Sequence, residues 1–146
     1  MRAVADASVV VKWFVPDADD EPDMAQALTV LAQVRSGEIV LCQPPHWMAE
    51  VVAVIARVRP AIVTATVDLL DAMELDTDAG VDIYKRAAAL AEQHDHHLFD
   101  TLYHAVALER DAILVTADER YWRKARRTGR ILLLAQWSEV GDPRGS

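Results

Sequence analysis

A single cysteine, Cys42, is all the thiol chemistry the sequence offers. An internal disulfide and any multi-cysteine zinc site are therefore excluded, which suits a reducing compartment, and Cys42 is expected to pack at a strand end. Long apolar runs are missing too. No stretch approaches the roughly 18 residues that a membrane helix needs, and Asp6 interrupts the first apolar run, so neither a span nor a secretory signal is expected and the expected setting is cytoplasmic. Basic charge is also short: 15 Lys and Arg face 23 Asp and Glu, for a net charge of −8. Bulk electrostatics therefore do not hold a nucleic acid to this chain, although a local patch is not excluded. What is present is 146 residues, 52% of them apolar, enough for one core that buries about two-thirds of the unfolded surface.

Residues 2–6 (RAVAD) read as a short buried strand. The following ASVVVKWFV is ambiguous by composition, and Ser8 just after Asp6 favours a helix start. After the acidic stretch PDADDEPD, Met24, Leu28, Leu31 and Val34 recur at helical spacing, with Gly37 as the stop. IVLC (39–42) is a strand candidate. Pro44 and Pro45 then break the chain before HWMAEVVAVIARVR, a helix that runs up to Pro60. Further helices are predicted over about 62–73, over 81–93, and from Asp100 through Leu108, with MELD (73–76) as a short edge strand. AILVT (112–116) reads as a strand, ADERYWRKARRT as a helix and ILLL (131–134) as the last strand. Strands alternate with helices and several lack polar alternation, which predicts a three-layer α/β/α sandwich around a mainly parallel sheet. Residues 1–140 form one domain in this reading, and 141–146 a frayed tail.

Open parallel sheets place their sites beyond the carboxyl ends of the strands. Asp6 closes the first strand, and Asp118 follows AILVT by one residue. Each is also a good helix N-cap, and taken alone the cap is the better reading. Glu50 has Trp47, Ala53 and Val54 as helical neighbours, so it sits at the edge of an apolar stripe and either reaches water or turns inward. Asp100 opens a helix with Tyr103 on its own face, and it either caps that helix or points inward. Four carboxylates that converge would repel and raise one another's pKa values unless a cation neutralised them. Oxygen ligands of this kind select Mg2+ or Mn2+ over zinc, and such ions activate water for phosphodiester displacement. Ser8 and Thr116, each two residues from an acid, are candidate supporting hydrogen-bond donors.

Four segments in order, VADASVVVKWF, PPHWMAEVVAVI, HHLFDTLYHAVAL and ILVTADERYW, resemble the successive motifs of the PIN-domain family, and more narrowly its VapC-type toxins. The resemblance covers nearly the whole chain, and its specificity lies in the order and intervals rather than in any one short motif. It implies a PIN-like fold and a Mg2+- or Mn2+-dependent endoribonuclease silenced by a co-expressed antitoxin. Asp6, Glu50, Asp100 and Asp118 would be its metal-holding catalytic acids, with Ser8 supporting Asp6 and Thr116 supporting Asp118. A homodimer is implied too. Lys12 falls in the VVKWF motif and is assigned no chemistry.

His96 and His97 stand where the family often has smaller residues, and with His94 they invite a transition-metal reading; a solvated helix junction is the commoner meaning of such a group. Arg120, Arg123, Lys124, Arg126, Arg127 and Arg130 cluster after the last acid, as candidate RNA contacts or as a solvated face with ion pairs. Tyr121 and Trp122 could stack on bases, but core packing is the stronger expectation, and Trp13, Trp47 and Trp137 are likewise assigned to packing or a partner surface. Two alternatives stand beside the nuclease. A noncatalytic PIN module that binds RNA or a protein would have no need of mutually repelling acids. An aspartyl-phosphate hydrolase wants a second Asp two residues after the first, where this chain has Ser8.

Overall fold

The computed structural model describes residues 1–15 and 23–137. The predicted tail at 141–146 and most of the acidic stretch after Val15 lie outside the described residues. Five strands, β1 (Arg2–Ala5), β2 (Val40–Gln43), β3 (Asp76–Thr77), β4 (Ile113–Thr116) and β5 (Ile131–Leu133), form one parallel sheet in the order β3-β2-β1-β4-β5. The described helices are α1 (Ala7–Phe14), α2 (Met24–Ser36), α3 (Trp47–Val58), α4 (Val63–Ala72), α5 (Val81–His94), α6 (Leu98–Glu109) and α7 (Glu119–Ala125). The predicted α/β/α sandwich is what forms. Central strands are apolar on both faces because helices cover both: Ala3, Val4 and Ala5 are fully buried in β1, and Leu114 and Val115 nearly so in β4.

The ambiguous ASVVVKWF is helix, as Ser8 suggested, with Val9 and Val10 buried. Gly37 ends α2 with φ at 83°, the left-handed conformation that a glycine adopts without a Cβ penalty. Helix α6 lies against β1, β2 and β4 with α5 packed on its outer side. Its residues Thr101 through Ala107 are all buried, which is why this segment is apolar around its whole circumference and not along one stripe. The polar members are paired: Thr101 Oγ1 donates to Ala87 O at 2.9 Å. His104 Nε2 donates to Gly129 O at 2.8 Å, so Nδ1 accepts from the Tyr121 hydroxyl at 2.7 Å. Tyr121 is therefore core, and so are Trp47 and Trp137, while Trp13 is half-buried with its Nε1 donating to Ala27 O. Cys42 is buried in β2, as expected for a packing residue.

Three predicted boundaries shift. The edge strand falls on Asp76–Thr77 and not on MELD, because Met73 ends α4 and Glu74 takes a positive φ that turns the chain. Helix α4 begins at Val63 after a single 3₁₀ turn at Pro60–Ile62. The last helix ends at Ala125, and Arg126–Thr128 tighten into 3₁₀ geometry before Gly129.

Where β1 hands over to the site, a fully buried glutamine holds the backbone. Gln43 Oε1 accepts from Ala5 N at 2.9 Å and its Nε2 donates to Ala5 O at 2.7 Å. No backbone partner is needed at that position, and the residue next to Asp6 is fixed. The near-isosteric Gln43→Met is expected to lower the urea midpoint at unchanged m-value, by about 1–3 kcal/mol for each backbone group left unpaired. An unchanged midpoint would contradict this role.

Candidate functional site

Strands β1 and β4 are neighbours, and the sheet grows outward from them in opposite directions, so their carboxyl ends border the crevice of a topological switch point. Asp6 and Asp118 occupy those ends. Both are indeed helix N-caps: Asp6 Oδ1 accepts from Ser8 N at 3.1 Å, and Asp118 Oδ1 accepts from Tyr121 N at 3.1 Å. Capping uses one oxygen of each carboxylate and leaves the other, so the cap and site readings hold together. The Ser8 hydroxyl donates to Asp6 Oδ1 and accepts from Ala117 N, joining the two strand ends. Thr116 corrects the sequence reading. Its Oγ1 donates to Asp6 Oδ2 at 2.5 Å, not to the Asp118 carboxylate, and reaches Asp118 only by accepting from its backbone N–H at 3.0 Å. Side chains two residues apart on a strand share a face, which turns Thr116 toward the neighbouring strand end.

Helices bring the other two acids. Glu50 lies in the first turn of α3, where its Oε1 accepts from the Tyr103 hydroxyl at 2.9 Å and its Oε2 lies 3.8 Å from His46 Nε2. Helix α6 starts at Leu98 with His97 as its N-cap, two residues before the predicted start. Asp100 is thus inside the first turn and not a cap, which frees its carboxylate. All four acids line one cleft of about 500 Å³, together with Ser8, Lys12 and Arg59 and an apolar wall that includes Val11, Val15, Val54 and Val58.

This crowding shows in the protonation equilibria. Burial raises Asp6 to about 7 against the donors Ser8 and Thr116, and the charges of Asp118 and Asp100 push it further up. Glu50 is raised by burial as well, held back by Tyr103 and His46. The Tyr103 hydroxyl is pushed far up by burial and by the Glu50 charge, so it remains a donor.

His96 supplies an independent sign of the field in this corner. Its side chain is 8% exposed, and Nε2 is buried without a well-aligned hydrogen bond, 3.1 Å from Asp100 Oδ2 and 4.0 Å from Asp118 Oδ2. Lys124 Nζ, which can only donate, lies 3.3 Å from Nδ1, so Nε2 carries the proton and turns it toward the acids. Ligand atoms of His96, Asp100 and Asp118 fall within 4.8 Å of one another. A cleft of oxygen donors that already recruits a buried N–H fits a hard divalent cation, which Asp6, Glu50, Asp100 and Asp118 would hold. The solvated-junction reading is right for exposed His97 and wrong for His96. The signal was its spacing of four residues from Asp100; Tyr103, three residues beyond Asp100, was visible in the same way.

The basic residues divide. Arg123 pairs with Glu119 at 2.5 Å, Arg130 pairs with Asp111, and Arg126 lies over the Trp122 ring at 5.4 Å. Arg120, Lys124 and Arg127 have no carboxylate partner among the described residues, and these three line two recesses beside His96 and His94.

Comparison with known proteins adds three findings. The family model of the PIN domain matches residues 3–127. No curated protein sequence matches the chain. Among solved structures, a toxin-antitoxin complex from Klebsiella pneumoniae is similar in fold, with a TM-score of 0.62 at 14% identity over 90% of this chain and 97% of that one.

The raised Asp6 value makes the metal-free protein pH-sensitive. An acid bound to its proton more tightly when folded, at about 7 against an ordinary 3.8, contributes stability that is full below about pH 4 and is lost as pH rises through about 7. Asp6→Asn removes that loss. The metal-free variant is expected to melt above the wild type at about pH 8, the gap closing toward pH 4, and added Mg2+ is expected to raise the melting temperature of the wild type alone. A gap that does not vary with pH would contradict the assignment.

Proposed function

The chain belongs to the PIN-domain family, whose domains are typically nucleases, and from that premise we propose that it is a Mg2+- or Mn2+-dependent endoribonuclease, the toxin of a toxin-antitoxin pair. The observation that carries the catalytic part is the cleft in which Asp6, Glu50, Asp100 and Asp118 meet. A purely binding module would gain nothing from that repulsion, so the noncatalytic alternative is disfavoured. The aspartyl-phosphate alternative is disfavoured by Ser8, whose hydroxyl is committed to Asp6 and to Ala117 N.

A bound divalent cation supplies an acidified water as nucleophile and positive charge for the oxyanions of the displacement. The residues of the chain do the rest. Ser8 and Thr116 keep both oxygens of Asp6 accepting, which favours the ionised form that a cation requires. Tyr103 does the same for Glu50 and fixes its rotamer. His96, with its proton set by Lys124, holds the Asp100 and Asp118 pair against repulsion. Lys12 and Arg59 line the same cleft and would meet the phosphodiester. The apolar wall beside them excludes water and accommodates a base or an apolar side chain of an inhibiting antitoxin segment. RNA as substrate, the antitoxin and a second copy of the chain as partners, and a cytoplasmic setting complete the reading. Its supports are the family, the fold likeness to a toxin-antitoxin complex and, among the described residues, the lack of a helix long and apolar enough to cross a membrane.

The test is cleavage of RNA by the wild type, Asp6→Asn and Asp118→Asn with Mg2+, Mn2+ or chelator. The wild type is expected to cut with either ion and to stop in chelator, and each variant to lose about 100-fold or more. Full activity in both variants would remove the site. A small reading frame next to the gene, whose product abolishes cleavage when co-purified, is the expected outcome for the toxin role.

A further inference from the structure

Beside the acidic cleft lies a second cavity of opposite character. A recess of about 590 Å³ is lined by Arg86, Gln93 and His94 from α5 and by Lys124, Arg127 and Thr128 from α7 and the turn after it, over the apolar Ala89 and Leu90. No carboxylate lines it. In a chain of net charge −8 this concentration of positive charge is the local exception. Arg86, Ala89, Leu90 and Gln93 recur at three- and four-residue spacing, so one face of α5 forms the wall. Arg86 and Arg127 are exposed and have no carboxylate partner among the described residues, unlike Arg123 and Arg130.

Lys124 connects this recess to the acids. It also lines a smaller recess of about 180 Å³ with Arg120, His96 and His97. Its Nζ donates to Asp95 O at 3.1 Å and lies 3.3 Å from His96 Nδ1, and His96 in turn faces Asp100 and Asp118. Positive side chains thus run without interruption from the large recess to the edge of the acidic cleft. A neutral or cationic ligand finds no counter-charge there. A chain of phosphates does: one phosphate enters the acids with its cation while others rest on arginine and lysine.

We propose that this recess binds a backbone phosphate of single-stranded RNA outside the scissile position, with Arg86 and Arg127 as its principal contacts and Lys124 on the path to the acids. The proposal rests on the ribonuclease reading above and assigns it a substrate-positioning surface. Contacts to phosphate carry no sequence information, so the recess supplies register and affinity and leaves base choice to the cleft. It also resolves the charge tension: the protein needs no bulk positive charge if two or three phosphates are caught beside the cleft.

The experiment pairs Arg86→Gln/Arg127→Gln with its charge-keeping counterpart Arg86→Lys/Arg127→Lys. Binding of a labelled single-stranded oligoribonucleotide is measured against salt in a Glu50→Gln background, so that cleavage does not intervene, with inorganic phosphate as competitor. The glutamine pair is expected to flatten the slope of log K against log salt by about 1.4, since each single-strand phosphate contact contributes about 0.7, and the lysine pair to retain the slope. In the active background the glutamine pair raises KM for the oligoribonucleotide at nearly unchanged kcat and leaves cleavage of a dinucleotide unaltered. Millimolar inorganic phosphate that displaces only the part of the affinity lost in the glutamine pair agrees with a backbone-phosphate site; displacement of all binding overturns it. An unchanged slope and KM in the glutamine pair also overturn the proposal, as does loss of antitoxin binding with RNA binding intact, which would reassign the recess to a protein. If the wild type cuts no RNA at all, it is the ribonuclease reading that has failed; if it cuts and the glutamine pair cuts equally well, only the recess has.

Discussion

Four carboxylates in one cleft repel, and the rest of the structure is arranged around holding them there. At about 4 Å separation two such charges repel by about 4 kcal/mol at the effective dielectric of a protein surface, so the unneutralised arrangement is costly by the scale of net folding stability. The fold meets this in two ways. It surrounds the acids with donors, namely Ser8, Thr116, Tyr103 and the buried N–H of His96. It also raises the proton affinity of the most buried member, Asp6, so that the metal-free protein keeps one acid protonated near neutrality. Each donor favours the charged form that a cation needs while holding its carboxylate in one orientation.

The scaffold explains why the acids come from four separate stretches of chain. Parallel strands all end on one side, and the reversal of strand order between β1 and β4 opens a crevice there. Strand ends supply Asp6 and Asp118, whose second oxygens start α1 and α7. Helix first turns supply Glu50 and Asp100. Gln43 and Ser8 then tie the strand ends to one another, so the site is braced by the same bonds that complete the sheet edge.

Much of this was legible in the sequence because it depends on local pattern. Apolar runs without alternation marked β1 and β4, an acid closing each run marked the crevice, and Ser8 and Gly37 marked a helix start and a helix stop. Contacts that depend on folding were not legible. Thr116 lies two residues from Asp118 in sequence but serves Asp6 across the sheet, a partner 110 residues away. His96 sits among three histidines of which only it turns inward, and nothing in the run HDHH distinguishes it. Arg123, Arg126 and Arg130 look like their neighbours in sequence, and only the fold gives them Glu119, Trp122 and Asp111. Helix α6 begins early because Leu98 and Phe99, read as a break, already adopt helical geometry behind the extended His97.

The claim on which all else depends is that a divalent cation replaces protons at this cleft. Calorimetric titration with Mn2+ at about pH 6 and about pH 8, in buffers of different ionisation enthalpy, measures that exchange directly. The account expects binding at both, with close to one proton released per cation at pH 6 and little at pH 8, where Asp6 is already largely ionised. Binding without any pH-dependent proton release, or no binding at all, would contradict it.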